Sequence, residues 1–129
     1  MMRDASVTLT WADGDYTFRL GWGEMVMLQE ACDAGPYEVY ERLKGTRWRV
    51  QDIAAVMRLG LIGGGVEPTK ALALVRDYVE GRPPLENVPF ARGILMIGIM
   101  GAPDGEQPGE ARGEATGGAS TTSPTENSE

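Results

Sequence analysis

The chain has 129 residues, a formal net charge of −7 and no histidine. Its single cysteine, Cys32, leaves one copy unable to form a disulfide or a conventional Cys/His zinc site, so we expect no metal, no cofactor and no redox chemistry. The most apolar run, ILMIGIM at residues 94–100, is far shorter than a membrane span, and the N-terminus lacks the apolar segment of a secretory signal. We therefore expect a cytoplasmic protein without a membrane partner.

The negative charge is concentrated near the C-terminus. Residues 101–129 contain six acidic residues and one arginine, so this segment carries −5 of the net −7. It is built from Gly, Pro, Ser, Thr, Glu and Ala, without aromatic or large aliphatic side chains, and such a composition cannot bury enough apolar surface to fold. We expect a folded domain over residues 1–100 and a disordered, solubilising acidic tail over residues 101–129.

Two short runs rich in β-branched and aromatic residues open the folded part. VTLTW and YTFRL are separated by ADGD, and an Asp-Gly pair between such runs is a strong hairpin signal. The pattern predicts a hairpin over residues 7–20, with Gly14 adopting the positive φ of the turn. An isolated hairpin is only marginally stable, so its apolar residues are expected to pack on the helices. These residues are Val7, Leu9, Trp11, Tyr16, Phe18 and Leu20.

Beyond the hairpin the apolar residues recur every three or four positions, which is typical of amphipathic helices. Pro residues near helix starts and Gly residues near helix ends mark most of the boundaries. The predicted helices cover residues 23–34, 36–44, 50 to the glycines at 63–65, 68–79 and 87–100. Pro89 is expected in the first turn of the last helix or at a kink. The predicted fold class is therefore α+β, a two-stranded N-terminal hairpin packed on four to five helices.

The run LGLIGGG at residues 59–65 ends in three glycines and is followed by VEPTKA. A phosphate-binding loop would follow a buried strand and would carry GxxxxGK[ST] or GxGxxG. Here the glycines follow a helical stripe, and the next lysine is Lys70. We interpret the run as a helix stop and turn formed by Gly63, Gly64 and Gly65, in which Gly63 or Gly64 adopts the left-handed conformation that ends the helix.

The charged residues offer little catalytic or nucleic-acid-binding chemistry. Glu24, Glu30 and Asp33 have the spacing of a solvated helix face, and no histidine or reactive cysteine supports a nucleophile, so we expect no enzymatic activity. The basic run RLKGTRWR at residues 42–49 is similar to a nucleic-acid-binding patch, but the chain is acidic overall. We expect no nucleic-acid partner, and a small DNA-binding regulator is the least favoured alternative.

The order of these segments resembles a known family. The hairpin VTLTWADGDYTFRL runs into GWGEMVMLQEACDAGP, and RWRVQDIAAVMRLGLIGGG precedes EPTKALALVRDYVEGRPPL and a final apolar helix. Over about residues 5–100 this arrangement resembles the small gene transfer agent tail proteins of alphaproteobacteria and related prophages, which are grouped with phage tail assembly chaperones. The helix that ends in GLIGGG is the most specific part of the resemblance, and the acidic tail lies outside it.

The resemblance implies a non-enzymatic role in building a phage-like tail. From it we expect a tail assembly chaperone that binds the tape-measure protein, keeps this long helical rod in solution and helps to recruit tail-tube subunits. A structural tail tube component is the alternative. We rank it lower because closing a ring by sheet pairing would need long strands, whereas the sequence offers one short hairpin.

Adaptable apolar side chains on two helices are the candidates for partner binding. Methionine is unbranched and polarisable, so it fits varied partners, and helices dock partner helices through residues spaced three and four apart. The last helix is apolar on more sides than one core contact requires, which also suggests self-association. The candidates, each of which could instead belong to the core, are Met25, Met27, Leu95, Met96, Ile99 and Met100.

Overall fold

The computed structural model describes residues 5–102. The elements are β1 (Ser6–Trp11), β2 (Gly14–Arg19), α1 (Trp22–Cys32), α2 (Pro36–Lys44), α3 (Val50–Gly63), α4 (Pro68–Val75), a π-helical turn (Arg76–Glu80), a 3₁₀ turn (Pro84–Asn87) and α5 (Val88–Met100). This architecture confirms the predicted α+β class, a two-stranded hairpin packed on helices. The predicted disordered tail lies outside the described residues beyond Ala102, and the domain boundary stays a prediction.

The hairpin of β1 and β2 is antiparallel and packs one face on the helices. The register pairs Trp11 with Gly14 beside a two-residue loop, and Phe18 on the inner face is fully buried. The positive φ of the loop belongs to Ala12, at 57°, so the prediction that Gly14 adopts it was wrong. The physical reason is that Gly14 is already the first residue of β2 and has extended backbone. The Asp-Gly signal predicted a hairpin turn in this segment, but the two loop residues are Ala12 and Asp13, one position earlier than the Asp-Gly pair.

Both ends of α1 are closed by local hydrogen bonding. The Gly21 N–H donates to Glu24 Oε1 at 2.9 Å, so an acidic residue of the first turn pairs a backbone donor next to the helix start. Asp33 ends the helix in the left-handed conformation, with a φ of 54°. The helix therefore covers residues 22–32, close to the predicted 23–34.

α3 is the central helix, and it contacts β2, α1, α4 and α5. The glycine run ends it as predicted: the Val66 N–H donates to Leu61 O at 2.9 Å, which is the reversal typical of a Schellman motif. The positive φ, at 111°, belongs to Gly65, so the expectation that Gly63 or Gly64 would adopt the left-handed conformation was wrong. Gly63 is the last residue of the helix and Gly64 still has helical backbone, because the chain reverses one residue later.

α5 is buried on one face and partly exposed on the other. Pro89 lies in its first turn, as predicted. Ala91 and Ile94 pack in the core beside Leu95, which has no exposed surface. The burial of Leu95 corrects its assignment as a partner-binding residue, because a side chain enclosed by the protein's own core cannot contact another protein.

Candidate interaction surface

A shallow apolar groove lies between α1 and α5, next to the point where the chain leaves β2. Its volume is about 390 Å³. None of the residues that line it is charged, and they come from the link between β2 and α1, from α1, from the start of α2 and from α5. They are Leu20, Gly21, Trp22, Met25, Val26, Gln29, Pro36, Gly98 and Ile99. We call this feature the apolar groove.

One rim of the apolar groove exposes two large apolar side chains. Trp22 is 88% exposed and Val26 is 45% exposed. They are four residues apart on α1, so they are neighbours on the same helix face. Apolar side chains exposed together mark interaction sites more often than scattered single ones, and tryptophan is enriched among the residues that dominate binding energy. The rim has the chemistry of a protein-binding surface.

The floor of the groove depends on the close approach of α5 to α1. A Cβ atom placed on Gly98 would lie 2.8 Å from Met25 Cε and 3.0 Å from Leu20 Cβ. Met25 Cε is the end of a flexible side chain and can move aside, but the contact with Leu20 Cβ is tight, so glycine at this position eases the close approach of α5. Met25 and Ile99 are each partly buried against the core, and together they line the groove.

A family model matches residues 4–101, a range that contains nearly all of the described fold, and its description is phage tail tube protein, GTA-gp10. The chain belongs to this tail tube family. The comparisons with curated proteins and with solved structures gave no match. Membership confirms the expected link to gene transfer agents and phage tails.

The family description also corrects the main functional expectation. We expected a tail assembly chaperone that binds the tape-measure protein, and the matched family is one of tail tube proteins, so that expectation was wrong. The error came from treating a short hairpin as evidence against a tube role. The length of a strand limits how many backbone bonds one edge can form, but it does not exclude contacts made by helices.

The candidate residues of this tail tube family member are not brought together in one place. Met25 and Ile99 meet in the apolar groove. Met27 is 48% exposed, but it is one residue beyond Val26 and lies about 100° further round α1, away from the groove. Met96 and Met100 are 39% and 53% exposed and share a face of α5 that does not line the groove.

Sequence reasoning missed Trp22 and Val26 as surface residues. Trp22 continues the stripe of Met25, Leu28 and Cys32, and that spacing predicts a core-facing position. In the structure Leu28 and Cys32 are buried, whereas Trp22 occupies the first position of α1, where the helix has passed the edge of the core. A stripe predicts the buried face of a helix but not how far along the helix the core extends.

Part of the basic run at residues 42–49 forms ion pairs within the protein. Arg42 Nη1 lies 3.2 Å from Asp52 Oδ1, and the Asp52 side chain is fully buried. The same guanidinium donates to the carbonyl oxygen of Cys32 at 3.3 Å and lies 3.5 Å from Glu38. The surface around it combines acidic and basic side chains, so it does not present a field of one sign.

Burial makes Cys32 an unreactive thiol. Its side chain is only 1% exposed. Desolvation, followed by the nearby negative charge of Asp52, raises the pKa of the Cys32 thiol from its ordinary value of 9.0 to about 12. Over residues 5–102 there is no cluster of three or more Cys, Asp or Glu side chains placed to hold a metal ion. None of the described helices has the length and apolar character to cross a membrane.

Proposed function

We propose that the chain is a structural subunit of the tail tube of a phage-like gene transfer agent, with no enzymatic role. The observation that carries this proposal is the family match, which extends over residues 4–101 and therefore includes the hairpin, all five helices and the apolar groove. Assembly of the tail would take place in the cytoplasm of the cell that produces the particles.

The apolar groove supplies the contact with a neighbouring tail protein. A tryptophan side chain buries roughly 150–250 Å². At about 25 cal/mol per Å², burial of the Trp22 side chain would contribute roughly 4–6 kcal/mol before the entropy of association is subtracted. A stable interface buries about 800 Å² on each partner, so Trp22 acts as an anchor within a larger contact.

The neutral lining of the groove selects the kind of partner surface that fits it. Without a charged side chain in the lining, there is no ionic group that a partner would have to neutralise. An apolar helix face or loop of another tail subunit meets this requirement. A contact with the tape-measure protein, which we expected from the resemblance, would also be apolar. The cross-linking described next would detect it.

The proposal is tested on particles purified from producing cells. Antibodies against the chain, detected by immunogold labelling, should decorate the tails, and chemical cross-linking followed by mass spectrometry should identify the tail proteins that contact α1. The chain should be present in many copies per particle. A chain that is abundant in the producing cells but absent from purified tails would overturn the structural role.

A surface variant locates the contact. Trp22→Ser should leave the unfolding midpoint unchanged, because the side chain is 88% exposed, yet lower incorporation into tails by about tenfold or more. The matched control is Leu72→Ser, which removes a side chain 54% exposed on α4, away from the groove. Equal incorporation of the two variants would show that the groove is not the contact.

A further inference from the structure

The two outer edges of the hairpin are in different environments. The outer edge of β2 is covered by the end of α3. A Cβ atom on Gly63 would lie 1.9 Å from the carbonyl oxygen of Arg19, and one on Gly64 would lie 1.9 Å from that of Thr17. The diglycine therefore lies directly against these two carbonyl groups, and no further strand can pair with β2.

The outer edge of β1 is open at two residues. The two-residue loop makes Trp11 and Gly14 a hydrogen-bonded pair, and pairs alternate along the ladder, so the backbone groups of Thr8 and Thr10 point away from β2. Over residues 5–102 no backbone hydrogen bond reaches them from another element. Their hydroxyl groups bond across to β2, to Thr17 at 2.9 Å and to Asp15 at 2.7 Å.

β1 also lacks the features that normally protect an open edge. Its sequence, SVTLTW, contains no charge and no proline, and its register with β2 is continuous, without a bulge. On the inner face of β1, Trp11 is buried, whereas Val7 and Leu9 are only partly buried. A further strand beside β1 would cover these two side chains.

We infer that the open edge of β1 pairs antiparallel with β1 of a second copy of this chain, with Thr8 on the two-fold axis. In this register the two Thr8 residues face each other and exchange two backbone hydrogen bonds. Val7 then lies opposite Leu9 of the second copy, so the partly buried apolar side chains cover one another. The interface is self-complementary, as a two-fold contact requires.

A second copy fits this edge because the pairing brings no like charges together. The charged outer-face residues, Asp15 near the loop and Arg19 at the far end, both lie on β2 and not on the paired strands. In the dimer Arg19 and Asp15 of the second copy would be three strand spacings apart, about 14 Å, where their attraction is mostly screened. Charge therefore does not oppose a second copy at this edge, and backbone pairing and the apolar contact of Val7 with Leu9 hold the two copies together.

The covered edge of β2 determines where the sheet stops. Head-to-tail pairing of β1 with β2 of the next copy would produce an open-ended or ring-shaped sheet, but Gly63 and Gly64 occupy that edge. Pairing through β1 alone closes after two copies, in a four-stranded sheet. The inference goes beyond the proposed tube role: the dimer is a property of the isolated protein, whereas the tube role is a property of the particle.

Site-directed cross-linking of the full-length chain tests the pairing. In Thr8→Cys the two introduced residues would have Cα atoms about 5.5 Å apart, within the range for a disulfide. The matched control is Thr17→Cys, directly opposite Thr8 on the same face of the hairpin, whose Cα atoms in the dimer would be about 14 Å apart. Cys32 is buried and does not compete in either variant.

With oxidised glutathione as the oxidant, Thr8→Cys should give a covalent dimer and Thr17→Cys should stay monomeric on a non-reducing gel. Sedimentation of the unaltered protein should show a dimer, which Thr8→Lys should weaken by about tenfold or more and Thr17→Lys should leave in place. Circular dichroism checks that each variant is folded. Equal cross-linking of the two cysteine variants, or a monomer at all concentrations, would overturn the inference without affecting the test on purified tails.

Discussion

The Trp11 indole N–H donates a hydrogen bond of 2.7 Å to Asn87 Oδ1, and this bond joins the end of the hairpin to a residue 76 positions later. Asn87 is 2% exposed, and its Nδ2 donates in turn to the carbonyl oxygen of Tyr78 at 2.9 Å. One buried amide therefore links the hairpin, the π-helical turn after α4 and the start of α5.

Replacing Asn87 should destabilise the whole domain. Asn87→Leu keeps the approximate volume but leaves the Trp11 donor and the Tyr78 acceptor unpaired in the core, which should lower the free energy of unfolding by about 2–4 kcal/mol. Urea denaturation measures the loss. The control is a double-mutant cycle with Trp11→Phe. Strictly additive effects of the two substitutions would show that the bond contributes nothing to stability.

Replacing Ala12 by glycine should stabilise the hairpin. Ala12 has a φ of 57°, a conformation that costs an L-residue about 1–2 kcal/mol, part of which is offset by the extra freedom that glycine gives the unfolded chain. Ala12→Gly should therefore raise the free energy of unfolding by about 0.5–1 kcal/mol and the Tm by about 4 °C, measured by thermal denaturation.

The matched control for this change is Gly14→Ala. A Cβ atom on Gly14 meets no heavy atom within 4 Å, and its φ is not positive, so the substitution should be close to neutral. If Gly14→Ala were the damaging change and Ala12→Gly the neutral one, the turn would have the geometry that the sequence predicted.

The features predicted correctly from the sequence are those with local causes. The hairpin follows from the β-branched and aromatic runs VTLTW and YTFRL on either side of the Asp-Gly pair, and the helix stop at residues 59–65 follows from the glycines themselves. The contacts that join distant parts of the chain leave no periodic signal, as the bonds from Trp11 to Asn87 and from Arg42 to Asp52 show. Among the residues that line the apolar groove, the sequence singled out Met25 and Ile99 as candidates but not Trp22 and Val26, because a stripe on α1 identifies a face but not the limit of the core.

The three consecutive glycines should respond to alanine in two different ways. At Gly63 and Gly64 a Cβ atom would lie 1.9 Å from a backbone carbonyl oxygen of β2, so each substitution forces α3 away from the strand and should lower the free energy of unfolding by about 3 kcal/mol or more. At Gly65 there is open space, and only the φ of 111° opposes alanine, at about 1–2 kcal/mol. Chemical denaturation should give a much lower free energy of unfolding for Gly63→Ala and Gly64→Ala than for Gly65→Ala. The reverse order would mean that α3 does not rest against β2.

The stability of the domain should fall in alkaline solution because of Cys32. The pKa of this thiol is raised from 9.0 to about 12 in the folded protein, so the folded state keeps its proton while the unfolded state loses it. The stabilisation that comes from the raised pKa of the Cys32 thiol is fully present below about pH 9 and is lost progressively as the pH rises toward 12.

Tyrosine and lysine side chains ionise in the same range, so the quantity to measure is the difference in the free energy of unfolding between the unaltered protein and Cys32→Ala, by urea denaturation from pH 7 to 11. The free energy of unfolding of the unaltered protein should fall more steeply than that of the variant, and alkylation of the native thiol at pH 8 should be slow until the chain unfolds. Parallel pH profiles with rapid alkylation would show that the thiol is not buried.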